Sequence, residues 1–295
     1  SGVTVIGGGG NLASGNMLVR AKLKKAQLET FHFSSPAVGE GKKNDGSFVS
    51  FLWKGKEKIA VFQILTPDNI LSPEIKEGSG ILKVGKYNIN YTREVSSKGT
   101  VMMRFAFSEK DSGTVDGKWQ VRVHAKDDVD LFGFIVDVTQ SWGGTTKWES
   151  KNFISDEGTV TFPSTADSCM AIGAYTVNYA WGSDDAIGKL CYYSGRGYNI
   201  SGKVGIDICA PGHSTFTCAP NNGYTLFSGT SSAAPHVVGT VALMLQINPS
   251  LTHTQVRNIL RHTAKSDEFT GPVPNTEWGA GKLSPEEAIK YVLGM

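Results

Sequence analysis

The sequence predicts an α/β part with a parallel sheet, formed by both ends of the chain, and an all-β module inserted between them. Three observations support this fold class. Residues 26–136 contain short runs in which apolar and polar residues alternate, as in half-buried strands. After about residue 158, nearly continuous apolar runs alternate with helical patterns, as in a parallel sheet covered on both faces. Charge divides the chain in the same way, because residues 20–157 hold 39 of its 56 Lys, Arg, Asp and Glu residues.

The inserted module is assigned to residues 21–157. Its strand-like runs are separated by turns rich in Gly, Pro, Asn and Asp, which is typical of a β-sandwich or jelly roll. No convincing helical pattern occurs between residues 30 and 155. The predicted strands lie at residues 26–29, 48–53, 59–64, 87–91, 101–107, 119–123 and 132–136.

The α/β part takes residues 1–20 and 158–295. Apolar runs predict its strands at residues 3–6, 169–174 and 204–209. A helix predicted at 231–246 is apolar nearly all round, which predicts that it is buried. Two later helices are indicated by their first residues. THTQ at 252–255 is a capping box, and SPEE at 284–287 has Pro at the first helical position and the reciprocal Glu three residues after the cap.

The composition argues against two classes of function. With 29 Lys and Arg against 27 Asp and Glu, the net charge of +2 does not suit a broad nucleic-acid surface. No apolar stretch approaches the roughly 18 residues of a membrane-spanning helix.

The chain begins inside a strand pattern rather than with Met, so we expect that upstream sequence has been removed. Localisation stays open, with a secreted or extracytoplasmic bacterial location slightly favoured over a cytoplasmic one.

Two residue types have unusual or ambiguous counts. The 35 glycines exceed the roughly 21 expected at the usual frequency, and glycine is used where backbone turns tightly or approaches another group closely. This excess is a first indication of a functional site. The four cysteines, Cys169, Cys191, Cys209 and Cys218, allow one or two disulfides, but buried free thiols are the simpler interpretation.

A candidate nucleophile lies at the start of the apolar helix, where residues 229–235 read GTSSAAP. A tight glycine turn presents Ser231 at the positive end of the helix dipole, a suitable place for a nucleophile. An ordinary Ser or Thr helix cap would explain a single serine as well. The whole string in its strand–turn–helix context favours the nucleophile.

This string resembles the motif G-T-S-x-[AS]-x-P of the subtilisin-like serine proteases, the subtilases or peptidase family S8. Other segments resemble further motifs of that family, in the same order: residues 162–174, 193–197, 206–212 and 278–283. The resemblance implies the C-terminal part of a subtilisin-like parallel sheet. It also implies a hydrolase, a serine-type endopeptidase that cleaves peptide or protein substrates through an acyl-enzyme on Ser231. No cofactor is expected; subtilases often bind calcium, but no D-x-[DN]-x-[DN] cluster occurs.

The N-terminal glycines acquire a role from the same resemblance. Residues 6–11, IGGGGN, are similar to the family strand that ends in A-G-N, whose Asn donates into the oxyanion hole. The resemblance therefore implies that Asn11 and the Ser231 N–H stabilise the charge that develops on the scissile carbonyl oxygen. It also implies that substrate is bound by Gly8, Gly9, Gly10, Gly229 and Thr230.

A dinucleotide-binding pattern is the rival interpretation of these glycines. Gly8-x-Gly10-x-x-Ala13 follows a strand, and Glu29 lies about 20 residues later, which satisfies a loose fingerprint. That fingerprint requires a helix and then a second parallel strand, whereas the chain continues into alternating β sequence. Nucleotide binding is therefore not favoured.

The His and Asp of the catalytic triad are not evident. None of the six histidines is followed by Gly-Thr, as the family motif H-G-T-H requires. His236 is interpreted as packing, and His213 is at most a residue near the site. Asp111 begins a D-S-G string that is interpreted as a surface turn. We therefore expect the C-terminal part of a subtilase, inactive alone, whose partner is the missing N-terminal protease segment.

Residues 26–138 resemble the jelly-roll domain inserted in the Csp-type subtilases, known from clostridial spore germination. The segments that carry the likeness are 51–55, 66–68 and 117–123. We expect this domain to be a rigid scaffold; binding of carbohydrate or protein by it stays open. The alternative function for the whole is a pseudoprotease, a binding or regulatory module that keeps Ser231 but not the rest of the triad.

Overall fold

The computed structural model describes residues 3–35, 46–76, 78–109, 114–137, 146–178 and 185–295. The chain divides into two units, Ser1–Ala13 with Asp156–Met295, and Ser14–Ser155. In chain order the strands are β1 (Val5–Gly8), β2 (Leu18–Leu23), β3 (Leu28–Ser35), β4 (Ser47–Lys54), β5 (Ala60–Leu65), β6 (Ser79–Val84), β7 (Tyr87–Val95), β8 (Thr100–Glu109), β9 (Gly117–Ala125), β10 (Val129–Asp137), β11 (Lys147–Trp148), β12 (Cys169–Thr176), β13 (Ile208–His213), β14 (Thr215–Ala219) and β15 (Gly223–Phe227), and the helices are α1 (Thr230–Ile247), α2 (His253–His262) and α3 (Pro285–Leu293).

The inserted unit contains two antiparallel sheets. One has the strand order β2-β10-β4-β8-β7-β6 and the other the order β11-β3-β9-β5. Strand β4 buries alternate side chains, and among them Phe51 and Trp53 are fully buried. Rings from the two sheets meet in the core: the centroids of Phe31 and Phe51 are 5.4 Å apart, and those of Phe62 and Phe105 are 5.5 Å apart. Within its described residues this unit contains no helix.

The inserted unit begins earlier than residue 21. Leu18 and Val19, which the sequence assigns to the α/β part, lie in β2 and pair antiparallel with Phe134 and Gly133 of β10. Both are buried there. A short apolar run looks the same in either kind of sheet, and only its pairing partner reveals to which unit it belongs. At the second boundary the structure divides after Ser155, two residues before the predicted position.

The α/β unit contains a parallel sheet in the order β1-β12-β13. Strand β12 is buried along nearly its whole length, as its continuous apolar run predicts. Its residues alternate between two cores. Met170, Ile172 and Ala174 pack in the core that contains α1, while Ala171 packs with Trp278 on the other face.

Helix α1 forms where predicted but is buried on one side only. Val237 and Met244 are fully buried. Val238 and Leu243, in contrast, are about half exposed, at 51% and 50%. The prediction of burial all round is wrong because, within the described residues, α1 packs against the parallel sheet and α3, which cover a single face. An apolar composition does not show how many faces of a helix pack against other elements.

Strand β13 begins at Ile208, later than the predicted run 204–209. The N–H of Gly205 donates to the carbonyl of Gly197 at 2.9 Å, and Val204 forms a bridge with Tyr198. This stretch therefore pairs with a loop before the chain joins the sheet.

The last two helices begin differently. Thr252 caps α2 as predicted, because its hydroxyl accepts the N–H of Gln255 at 3.3 Å while the Gln255 side chain accepts the N–H of Thr252 at 2.9 Å. Helix α3 has Pro285 at its first position, but Ser284 makes no capping hydrogen bond. Glu287 lies 3.4 Å from the Lys290 ammonium, so the predicted reciprocal cap is wrong.

A buried carboxylate fastens α2 to the sheet. Asp207, just before β13, is 3% exposed and accepts the N–H of Ala171 at 3.0 Å. Arg257 of α2 binds it with two nitrogens, Nε to Oδ1 at 2.8 Å and Nη2 to Oδ2 at 3.0 Å. Arg261, one turn later, donates to Oδ1 at 3.2 Å. This network holds α2 at the N-terminal end of β13, the strand whose other end leads to the candidate site.

All four cysteines are free thiols in the structure, three buried and Cys218 exposed. Burial raises the pKa of Cys191 to about 11 and also raises that of Cys169. Among the described residues, no helix combines the length and the apolar character needed to cross a membrane.

Candidate active site

Ser231 is the second residue of α1 and is exposed. The preceding turn explains its position. Gly229 has a φ of 131°, a conformation that favours glycine. Its N–H donates to the carbonyl of Gly212 at 2.7 Å, which ties the turn to the end of β13. Strand, turn and helix thus present Ser231 at the positive end of the α1 dipole.

Asn11 lies against the same turn and is held in one orientation. Its Oδ1 accepts the backbone N–H of Thr230 at 3.0 Å and the Thr230 hydroxyl at 3.1 Å. Because a backbone N–H can only donate, the side-chain atom that faces it must be the oxygen. The amide nitrogen Nδ2 is therefore directed to the other side, and within the described residues it has no hydrogen-bond partner.

A second donor lies beside the first. The opening N–H groups of a helix have no intrahelical acceptor. In α1 the Thr230 N–H is bound by Asn11 and the Ser232 N–H by the carbonyl of Gly229 at 2.9 Å. Among the described residues nothing accepts the N–H of Ser231. The site therefore offers two donors, Asn11 Nδ2 and Ser231 N–H, next to an exposed hydroxyl.

Two of the N-terminal glycines allow β1 to approach the helix start. The N–H of Gly10 donates to the Thr230 hydroxyl at 3.1 Å, and Gly10 has a φ of 100°. A Cβ on Gly8 would come within 2.8 Å of that hydroxyl. Gly9 differs, because it is buried and a Cβ there would meet Ile206. Gly8 and Gly10 thus contact Thr230, whereas Gly9 packs against Ile206.

The structure gives His213 and His236 other contacts. His213 is buried in β13, with Nδ1 3.5 Å from the hydroxyl of Tyr193. That hydroxyl donates to the carbonyl of Gly212 at 2.9 Å, and burial raises the pKa of Tyr193 far above its usual range, so it stays protonated. His236 donates its Nδ1–H to the carbonyl of Ser232 at 3.0 Å. Within the described residues, no histidine or carboxylate forms a hydrogen bond with Ser231.

The remaining candidates do not add to the site. Asp111, in the D-S-G string, lies outside the described residues. In the part of the chain that the structure describes, no group of three or more His, Cys, Asp or Glu side chains could hold a metal ion.

Sequence reasoning missed the hairpin β14–β15 that follows the Gly212 turn. Its two strands pair from Thr215 with Phe227 to Ala219 with Gly223. Asn221 and Asn222 both have positive φ, at 61° and 56°, as a tight hairpin turn requires. The Asn-Gly pair at 222–223, between short runs of alternating residues, was the signal that could have revealed it.

This hairpin also reaches the start of α1. The hydroxyls of Thr215 and Ser232 share a hydrogen bond. Ser231 is therefore flanked by two fixed residues, Thr230 on the side of β1 and Ser232 on the side of β14.

Comparison with known proteins relates the C-terminal part of the chain to a known family. Residues 140–281 match the model of the subtilase family, peptidase S8. The matched segment, just under half of the chain, is similar to the subtilases. Alkaline elastase YaB from Bacillus sp. (strain YaB) is 36% identical over 136 residues, which are 46% of this chain and 31% of that protein. Subtilisin DY from Bacillus licheniformis is 35% identical over 136 residues, 45% of this chain and 42% of that protein. The chain thus spans less than half the length of these two relatives.

A solved structure extends the likeness to the inserted unit. The CspB protease of Clostridium perfringens aligns with a TM-score of 0.76 at 21% identity, covering 99% of this chain and 60% of that one. At this identity the likeness concerns the fold. The chain therefore has a CspB-like fold, in which a parallel sheet is combined with antiparallel sheets.

Proposed function

We propose that this protein is a subtilisin-like serine endopeptidase in which Ser231 is the nucleophile and Asn11 stabilises the oxyanion. The orientation of Asn11 carries the proposal. Its Oδ1 is bound by Thr230, the residue directly before the exposed Ser231, so that Nδ2 and the Ser231 N–H remain as donors beside one hydroxyl. Two preorganised donors next to a nucleophile suit an oxygen that becomes negatively charged during acyl transfer.

In the proposed reaction, Ser231 Oγ attacks the carbonyl carbon of the scissile peptide bond and its proton passes to a base. The carbonyl oxygen becomes negatively charged and accepts hydrogen bonds from Asn11 Nδ2 and the Ser231 N–H. The bond to the amine then breaks as the amine takes up the proton, which leaves an ester on Ser231. Water, activated by the same base, hydrolyses the ester and restores the hydroxyl.

The base in this chemistry is a histidine oriented by an aspartate. This chain spans less than half of its two curated relatives. We assign the His and the Asp to a segment of the protein outside this chain, which is then the partner that completes the site. Peptide or protein substrates would lie against Gly8, Gly10, Gly229 and Thr230, and the reaction needs no cofactor.

The isolated chain is expected not to turn over peptides. A serine without a base is a poor nucleophile, and in subtilisin loss of the triad His alone costs about 10⁶ in kcat. The measurement is incubation of the isolated chain, and in parallel of the protein as its organism makes it, with a fluorogenic peptide and an active-site phosphonate. We expect labelling of Ser231 in the natural protein only.

The outcomes of this comparison are distinct. Labelling of the isolated chain at protease-like rates contradicts the assignment of the base to another segment. A natural protein that binds peptides but is neither labelled nor active would instead be a pseudoprotease, the alternative function.

Replacing Asn11 by Asp is expected to lower kcat about 10²–10³-fold or more with little change in KM. Asn11→Asp keeps the oxygen that Thr230 binds but exchanges the donating NH2 for a second, negatively charged oxygen. The figure is that of the equivalent oxyanion-hole donor in subtilisin. The measurement is kcat and KM of the natural protein and the variant on one peptide substrate. Asn222→Asp, at the exposed hairpin turn, is the matched control, and a kcat of Asn11→Asp within tenfold of it contradicts the role.

For the inserted unit we propose a jelly roll that acts as a scaffold. Nested strand pairing supports this: β2 pairs with β10, β3 with β9, and β4 with β8. Such pairing arises when one long antiparallel hairpin is rolled into two facing sheets, which is the topology of a jelly roll. Its tightly packed aromatic core suits a rigid support.

A further inference from the structure

The sheet β11-β3-β9-β5 of the inserted unit has one side that carries positive charge. Strand β9 buries Trp119, Val121 and Val123 in the core. We call the opposite side of this sheet the β9 face. It is formed by the residues of β9 that alternate with these three, and by the residues level with them in β3, β5 and β11. Glu29, the one carboxylate within the four strands, belongs by alternation to the other side, with Phe31.

Strand β9 places a basic or amide group at every second position of this face. In order these are Lys118, Gln120, Arg122 and His124, and Lys126 follows directly after the strand. At about 3.3 Å per residue they form a row about 26 Å long. Lys126 Nζ lies 3.0 Å from His124 Nδ1. Because an ammonium group can only donate, Nδ1 is the acceptor, and His124 keeps its Nε2–H as a further donor.

Three cations of the β9 face have no partner in the part of the chain that the structure describes. The side chains of Lys118, Arg122 and Lys147 form neither an ion pair nor a hydrogen bond there. Lys118 and Lys147 lie on either side of one β3 residue, so their backbones are about 10 Å apart. Like charges at such a distance repel each other, and a bound anion removes that repulsion. On the other sheet, in contrast, Arg20 lies 3.8 Å from Asp130.

The centre of the β9 face keeps its positive charge. Arg122 is level with Thr30 in β3 and with Gln63 in β5, and both are neutral. A carboxylate occurs at the margin beyond β5, where Glu74 lies 3.0 Å from Lys76. The hydrogen bond from Lys76 and its charge lower the pKa of Glu74. Glu74 thus already has a counter-charge, and Arg122 is available to an external anion.

The groups in this row select the class of ligand. Arg and Lys bind carboxylates and other oxyanions, and the amides and hydroxyls of Gln120, Thr30 and Gln63 can exchange hydrogen bonds with sugar hydroxyls. A linear acidic polysaccharide presents both kinds of group along one chain. Single-stranded nucleic acid fits less well, because its bases stack on exposed aromatic rings. None of the residues of the β9 face is Phe, Tyr or Trp.

We infer that the β9 face binds a linear acidic polysaccharide that lies along β9. Arg122 binds an anionic group at the centre of the row, and Lys118 and Lys147 together bind another near its start. The inference does not rest on proteolysis. It gives the inserted unit a binding role besides support, because the unit attaches the protein to such a polymer whatever reaction the α/β unit performs.

The test uses the protein as its organism makes it and a fluorescein-labelled oligogalacturonate as the probe. Binding is measured by fluorescence anisotropy, with labelled dextran as the neutral polymer and a labelled oligothymidylate as the nucleic acid. We expect the oligogalacturonate to bind more tightly than either. Its affinity should fall about tenfold or more between about 50 mM and about 500 mM NaCl, because salt screens exposed charges.

A double variant, Lys118→Gln with Arg122→Gln, removes two charges of the row and keeps groups that can form hydrogen bonds. We expect it to weaken oligogalacturonate binding about tenfold, since one exposed charge pair contributes up to about fivefold in affinity. Tm should not change, because both side chains lie outside the core. The matched control is Lys22→Gln with Lys83→Gln, which removes the same charge from exposed positions of the other sheet.

Each remaining outcome contradicts a defined part of the inference. A double variant that binds within twofold of the parent, or a control that loses as much affinity, overturns the β9 face as the site. Dextran or oligothymidylate that binds as tightly as the oligogalacturonate overturns the class of ligand. None of these measurements involves peptide hydrolysis, so they give the same answer whether or not Ser231 is a nucleophile.

Discussion

Replacing Ser231 by alanine is expected to lower kcat about 10⁶-fold in the protein as its organism makes it. The magnitude is that of the corresponding loss in subtilisin, where removal of the nucleophile costs about 2 × 10⁶. Ser231 is exposed and makes no side-chain hydrogen bond within the described residues, so the change removes the reacting oxygen and little else. Stability should therefore hold, with Tm within about 1 °C of the parent, because surface substitutions usually change the free energy of unfolding by less than about 0.5 kcal/mol.

The combination of lost turnover and unchanged Tm is what identifies a nucleophile. The measurement is kcat on a peptide substrate together with a thermal melt of each variant. Ser201→Ala, at another exposed serine, is the matched control and should change neither quantity. A Ser231→Ala protein that retains more than about a thousandth of the parental kcat would contradict nucleophilic catalysis by this residue. A large fall in Tm would indicate that Ser231 has a structural role instead.

Much of the site could be predicted from local sequence because its parts are local. Gly229, Thr230 and Ser231 are consecutive, and a glycine turn before an apolar helix has a clear pattern. What the pattern does not contain is the contact between Thr230 and Asn11, which lie 219 positions apart. That contact determines which atom of the Asn11 amide faces the site, and no propensity or spacing rule provides it.

The same distinction explains the errors in the fold. Strand β12 and the capping box of α2 depend on neighbouring residues, and the sequence predicted both. The exposed face of α1 and the assignment of β2 depend on what packs against them. An apolar run at Leu18 and Val19 is compatible with either unit until its pairing with β10 is seen. Gly9 is a similar case, because the residue that leaves no room for a side chain there is Ile206, which lies far along the chain.

Replacing Asp207 by alanine is expected to lower the free energy of unfolding of the α/β unit by about 3–5 kcal/mol, the usual result of breaking a buried charge pair. Asp207 accepts four hydrogen bonds, three of them from Arg257 and Arg261 and one from the Ala171 N–H. Its removal leaves the buried Ala171 N–H without an acceptor and ends the attachment of Arg257 and Arg261, and so of α2, to the sheet. At about 2–4 °C per kcal/mol for a unit of this size, Tm should fall by roughly 6–20 °C.

We expect the loss of stability in each variant to depend on how deeply the charge left unpaired is buried. Arg257→Ala is expected to cost less than Asp207→Ala, because Arg261 still neutralises the carboxylate. Removing both arginines should cost the most. The Asp207 side chain is only 4% exposed and would be left as an uncompensated buried charge, whereas the side chains of Arg257 and Arg261 are 31% and 43% exposed and can reach water when Asp207 is lost. Thermal melts of the three variants check this order, with Arg122→Ala in the inserted unit as the control. A double arginine variant more stable than Asp207→Ala would mean that the network fixes α2 by geometry and that charge burial contributes little.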